Sequence, residues 1–327
     1  MTRVKVLDID PASYQRHGLH AEDRLWVEKN CYVDIWLELI HALGGEPRAV
    51  LPFAVAIDFD GGQFTFYKPP HDELRDLYGV DVQEMNVWKP LVEHAQELLG
   101  TGRMISTEAD AFFLPDTAGT DYQRNHVKTT IVLNDLDVEA RRLGYFHNAA
   151  YHWMEGEDFV RTFRIGAAPD RTFMPLFAES VRIDRLVVRP QDELVGQSRA
   201  LWKRHLGRRP ETNPIERFGA RFTADLPTMQ ARGLDYYHAF AFGTLRQLGS
   251  AFELCAQNLR WLDGAGVTGL ADGIAAFETV SSTAKTFILK AARAVNAKRA
   301  LDAAPVFAEM AAAWQRGVDV AIAQFGE

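Results

Sequence analysis

Of the two cysteines in this 327-residue sequence, Cys31 stands where a thiol could do chemistry. It follows Asn30 and opens the run CYVDIWLELIHAL, in which Tyr32, Ile35, Trp36, Leu39 and Ile40 recur at helical spacing. The cysteine is therefore predicted at the first turn of a helix, with Asn30 as N-cap and Asp34 complementing the dipole. The positive end of a helix favours the anionic thiolate, the species that attacks acyl groups. The plainer alternative is a buried, inert thiol, because free cysteine packs as a small hydrophobe. The polar neighbours Lys29 and Asn30 argue for an element boundary instead.

A nucleophilic thiol needs a base, and His126 is the first candidate. It follows the polar loop DTAGTDYQRN and opens a predicted β-branched strand, HVKTTIVLND. A second strand, LGYFH, ends at Asn148, and an antiparallel pairing would bring residues 126 and 148 to one edge. Asn148 would then orient the imidazole as the third member, in the chain order Cys, His, Asn. His147 as the base and Asp135 as the orienter remain open. Asp110 lies inside the apolar run TEADAFFLP, where an inward carboxylate requires hydrogen-bond partners. It either lines the cleft or faces solvent.

Other chemistries have less support. His17 and His20, or His147 and His152, lack a metal-ligand spacing, and no Gly-rich phosphate loop or GxSxG elbow occurs. No metal and no other cofactor is expected. Two cysteines make no disulfide framework, and a reduced, cytoplasmic setting follows. The N-terminal stretch lacks a secretory h-region, and no apolar run is long enough for a membrane span. A net charge of -8 argues against nucleic acid as a partner.

The elements that would position these residues change character near residue 190. Before it, helix and strand signals alternate. LPFAVAIDF and QFTFYKP read as strands around an Asp60-Gly61-Gly62 turn, residues 87–99 as a helix, MISTEADAFFL as a strand, and residues 182–188 as one more. After it, YYHAFAFGTLRQLGSAFELCAQNLRWL and residues 269–297 and 303–325 read as amphipathic helices. Residues 190–215, basic and Pro-containing, read as the junction. The expected fold is an α+β domain over residues 1–190, a helix carrying Cys31 plus an antiparallel sheet. An all-helical domain over residues 191–327 follows.

The stretches HAEDRLWVEKNCYVDIWLELIHALG, FTFYKPPHDELRDLYGVDVQEMNVW, EADAFFLPDTAGTDYQRNHVKTT and RRLGYFHNAAYHWMEGEDF resemble the bacterial domain-of-unknown-function family 1839. More distantly, a helix-borne Cys, the D-x-F-x-L-P pattern, a His opening a strand and G-Y-F-x-N are similar to the butirosin biosynthesis H proteins. That resemblance implies a papain-like fold and transfer of an aminoacyl group from a carrier-protein thioester to an amine. It assigns Cys31 as nucleophile, His126 as base, Asp110 to the cleft and Asn148 as third member. Where papain-type enzymes carry an oxyanion-hole Gln six residues before the Cys, this sequence has Leu25. Asn30 or a backbone N–H must substitute. Water as acceptor would make the same residues a cysteine peptidase or amidase. Loss of chemistry would leave a papain-like binding protein. The oligomeric state is not legible in the sequence.

Overall fold

The computed structural model describes residues 3–168 and 175–326. In chain order the elements begin β1 (Val4–Lys5), α1 (Cys31–Ala42), β2 (Phe59–Asp60), β3 (Gln63–Phe64), α2 (His71–Tyr78) and β4 (Asp81–Glu84). Next come α3 (Leu91–Gly100), β5 (Arg103–Asp110), β6 (Lys128–Asp137), β7 (Arg142–His147), β8 (Ala150–Glu155), α4 (Glu157–Thr162) and β9 (Ala178–Arg182). The helices α5 (Gln191–Leu206), α6 (Pro214–Arg232), α7 (Leu234–Gly243), α8 (Leu245–Gly264), α9 (Ala271–Asn296) and α10 (Ala304–Phe325) complete the chain. The protein is thus an antiparallel α+β region followed by an all-helical one.

Two compact units share the chain. The first comprises Met1–Ala21, Asn30–Pro47 and Pro70–Val188, and the second Glu22–Lys29, Arg48–Pro69 and Arg189–Glu327.

The first unit is built on a sheet in the order β4-β9-β5-β6-β7-β8, with every pairing antiparallel. β1 adds to β6 beyond the point where β5 leaves it, pairing Val4 with Leu136. Asn134 sits at an irregularity of β6, and its side chain bonds Leu7 N, Leu7 O and the Tyr151 hydroxyl. α1 forms as its sequence requires. The Asn30 side-chain oxygen Oδ1 accepts from Val33 N at 2.9 Å, and Gly44, at φ +80°, ends the helix where a left-handed residue is needed. Residues 32–40 of α1 are buried without a break, and the helix packs on β6 and β7.

The pleat decides which side chains α1 covers. Ser106, Val132 and Phe146 occupy one row across β5, β6 and β7, and Thr107, Ile131 and His147 the next. Adjacent rows face opposite sides. Tyr32 of α1 bonds Glu179, which pairs with Ser106, so α1 begins over the Ser106 side. Asp110, four residues beyond Ser106, lies on that same side.

The second unit packs α8 on α9 and α9 on α10. Phe218, Phe222, Phe287 and Phe307 form its aromatic centre, with ring centroids 5.1–5.4 Å apart among neighbours. The two early segments join this core: Tyr67 Oη lies 2.6 Å from Ser250 Oγ, and Trp26 Nε1 donates to Ser281 Oγ.

Several elements differ from the sequence reading, each for a physical reason. LPFAVAI is not a strand: Pro47–Ala56 is a 3-10 helix, because an unbroken apolar run fits any buried element and two prolines deny a ladder its donors. The Gly61-Gly62 turn is present, but its strands are two residues each. The predicted strand at 182–188 ends at Arg182. Residues 190–215 are no linker but mostly α5, whose Asp192 and Glu193 at the start and Lys203, Arg204 and His205 at the end complement its dipole. The long helix read through residues 236–262 breaks at Thr244, leaving Phe242 exposed.

Candidate functional site

The base proposed from sequence has a partner, and it is Asp110. His126 Nδ1 lies 2.6 Å from Asp110 Oδ2. A carboxylate on Nδ1 holds the proton there and turns Nε2 outward with its lone pair. Phe112 stacks on the ring at 4.3 Å and 11°. Asp110 is itself fixed, since its Oδ1 accepts from Phe112 N at the start of a 3-10 turn, Ala111–Phe113. The imidazole remains 68% exposed and the carboxylate 35%. His126 precedes β6 by two residues instead of opening it, and the Val127 carbonyl still accepts from Ala111 N.

Cys31 is the first residue of α1 and is half-buried. Its own N–H belongs to the helix turn that has no intrahelical acceptor. Asn30 spends its side-chain oxygen Oδ1 on Val33 N, so the side chain is a helix cap. Among the described residues no hydrogen bond joins Cys31 to His126. The other thiol, Cys255, is fully buried in α8, and burial pushes its ionisation far up.

Asn148 does not reach His126. β7 pairs His147 with Ile131, which sets Asn148 level with Thr130, four positions along β6 from His126. It occupies the β7–β8 turn at φ +47°, a conformation asparagine tolerates. His147 has both nitrogens engaged: Nδ1 donates to Asp116 Oδ2 at 2.6 Å, and Nε2 accepts from Thr129 Oγ1 at 2.7 Å. It is 1% exposed and, by the pleat, faces the side opposite to the start of α1. Asp135 is held by Arg3, whose Nε donates to it at 2.7 Å, nine positions along β6 from His126. Neither residue is arranged to serve the Cys31–His126 pair. Leu25 falls in the segment Glu22–Lys29 of the helical unit and is 39% exposed.

Three polar groupings in the first unit were not anticipated. Beside Cys31, the Tyr32 hydroxyl donates to Glu179 Oε2 at 2.9 Å, Ser106 Oγ donates to the same oxygen at 3.0 Å, and His71 Nε2 lies 2.7 Å from the Tyr32 oxygen. Burial, then the Glu179 charge, pushes the phenol up, so it is a donor and not a phenolate. The second grouping is Asp116, which accepts from both Tyr145 and His147. Burial pushes its carboxyl up, but the bond and charge of His147 outweigh that, and the net shift is down. The third is His20, fully buried between Asp34 at 2.9 Å and Glu38. A histidine in a polar N-terminal stretch gave no sign of this. The only sequence signal was Asp34 and Glu38, one turn apart on an otherwise apolar helix.

Among the described residues no group of three or more His, Cys, Asp or Glu side chains is placed to hold a metal ion. Among the described residues no helix is long and apolar enough to cross a membrane.

A family model described as the DUF1839 N-terminal domain matches residues 15–183, and one described as the DUF1839 C-terminal domain matches residues 191–323. The chain belongs to the DUF1839 family. No curated protein matches it. Cys31, Asp110 and His126 all lie inside the stretch matched by the DUF1839 N-terminal domain.

Proposed function

We propose that the chain is a thiol-dependent acyl or aminoacyl transferase of papain-like build, working through a Cys31 thioester. The observation that carries this reading is the Asp110–His126 pair. It is fixed at 2.6 Å, open to solvent, and on the side of the sheet over which α1 begins with a half-buried Cys31. Among the described residues no hydrogen bond joins this pair to the thiol, and the reading requires one to form when substrate binds.

The chemistry follows from these groups. The Cys31 thiolate adds to a thioester carbonyl, and the oxyanion is met by the Cys31 N–H at the helix start. Collapse expels the donor thiol, which takes its proton from His126. An amine then attacks the acyl-Cys31 carbonyl while His126 Nε2 accepts the amine proton, and Sγ leaves as thiolate. Asp110 holds the ring and balances its charge while it is an imidazolium. The donor in this reading is a carrier-protein thioester and the acceptor a small-molecule or peptide amine.

The test is intact-mass analysis after incubation with N-acetylcysteamine thioesters of amino acids. The expected result is one acyl addition, mapped to Cys31, absent in Cys31→Ala and slowed about 100-fold or more in His126→Gln. Asp110→Asn is expected to slow turnover and shift the pH profile with acylation retained. Product analysis with amine acceptors separates transfer from hydrolysis, in which water takes the amine's place. No adduct with any thioester, or an adduct on Cys255, would sink the proposal.

A further inference from the structure

A second concave site lies wholly within the helical unit. A cavity of about 550 Å³ is lined by the Leu25–Glu28 segment and by α7, α8 and α9, a volume in the range that holds small organic ligands. Its base is Trp26, buried and fixed by its Nε1–H bond to Ser281 at 3.0 Å. Phe242, 56% exposed, and Ile288 supply apolar walls.

Two cations are set on this apolar frame. Lys285 Nζ lies 4.2 Å from the centroid of the Trp26 ring, and among the described residues no carboxylate comes within ion-pair distance of it. The Arg246 guanidinium stacks 4.8 Å from the Phe242 centroid and donates to the Lys29 and Glu28 carbonyls at 3.2 and 3.3 Å. Two carboxylates act on these cations: Glu28, 46% exposed and 3.9 Å from Arg246, at the limit of an ion pair, and the buried Glu253, whose charge is felt at Lys285. The Lys285 ammonium is held below its usual range, first by burial and then by the Arg246 charge. Two like charges held near each other over an aromatic floor leave room for one anion.

We propose that this cavity binds a small organic anion, a carboxylate with an aromatic or branched aliphatic body, whose ring lies against Trp26 and Phe242 and whose charge meets Lys285 and Arg246. This reading does not depend on any chemistry at Cys31. The cation–aromatic pairs hold both charged groups at the cavity wall before the ligand arrives. An anion accepting from both replaces their mutual repulsion with two charge-assisted hydrogen bonds.

The experiment is calorimetric titration of the full chain with 1-naphthylacetate, with 1-naphthylmethylamine and an acidic Phe-containing peptide as parallel arms. We expect saturable 1:1 binding of the carboxylate with Kd below about 1 mM. It should weaken about 10-fold in Lys285→Met and in Phe242→Ser, and be unchanged in Cys31→Ala. Both variants alter exposed side chains, and unchanged thermal unfolding would establish that they fold. The proposal is overturned if the amine binds as well as the carboxylate, if both variants bind like the parent, or if only the peptide binds.

Discussion

Replacing His20 with leucine is the most stringent check on how the first unit is held. His20, Asp34 and Glu38 are all fully buried, and each imidazole nitrogen meets a carboxylate. Leucine removes both ring nitrogens while leaving the two acids in place. Glu38 keeps the Tyr14 hydroxyl at 2.6 Å and the His17 N–H at 3.0 Å, so only part of its hydrogen bonding is lost. Removing one partner of a buried charged cluster costs about 3–5 kcal/mol, against about 5–15 kcal/mol for a whole domain. With a urea slope of about 2 kcal/mol/M, the unfolding midpoint should fall by about 2 M. Far-UV circular dichroism in urea reads this directly. A triple variant, His20→Leu with Asp34→Asn and Glu38→Gln, should recover most of the loss, since it also removes the two carboxylates that faced the imidazole. A midpoint shift below about 0.3 M in the single variant, or a triple variant no better than the single, would refute this account.

Three further outcomes follow from the same geometry. The Asp116 carboxyl is held below its ordinary value of 3.8, so its stabilising effect is present above that value and lost as pH falls through the folded one; Asp116→Asn should flatten the acid limb of a pH–stability curve. Burial pushes the Glu253 carboxyl above 4.5, with Lys29 opposing, and its Oε2 has no partner; stability therefore drops as pH rises through that shifted range, and Glu253→Gln should remove the slope in urea titrations at pH 4 to about 8. Gly79 closes α2 at φ +71°, and a Cβ there would meet the Arg185 carbonyl oxygen at 1.8 Å, so Gly79→Ala should cost about 2 kcal/mol or more by thermal unfolding.

The helix bearing Cys31 was legible because its cap, periodicity and terminating glycines agree with one another. So were β5, β6 and β7, whose β-branched or apolar runs are bounded by turn residues. Register was not. Pairing His147 with Ile131, and so placing Asn148 away from His126, depends on the four-residue turn 138–141 and an irregularity at Asn134 that no local pattern announces. The Asp110–His126 contact spans two strands and a loop, and only the ladder that pairs Asp110 with Lys128 brings it about. α5 was misread because helix-end charges look like a linker when the apolar stripe between them is thin. The cavity over Trp26 was invisible for a different reason: it needs residues 25–28 and 238–288 in one place.

Between residues 1 and 327 the polypeptide passes from one compact unit to the other five times. The consequence concerns how such a molecule can be made and taken apart. A fragment starting at residue 191 would be missing Trp26, Tyr67 and Arg48, whose bonds to Ser281, Ser250 and Asn258 help to close the helical core. A fragment ending at residue 190 would carry those same apolar segments with nothing to bury them, and is expected to aggregate. The two halves are therefore tied as a single heritable object, and neither can be traded or tuned by recombination at residue 190 without rewriting the other.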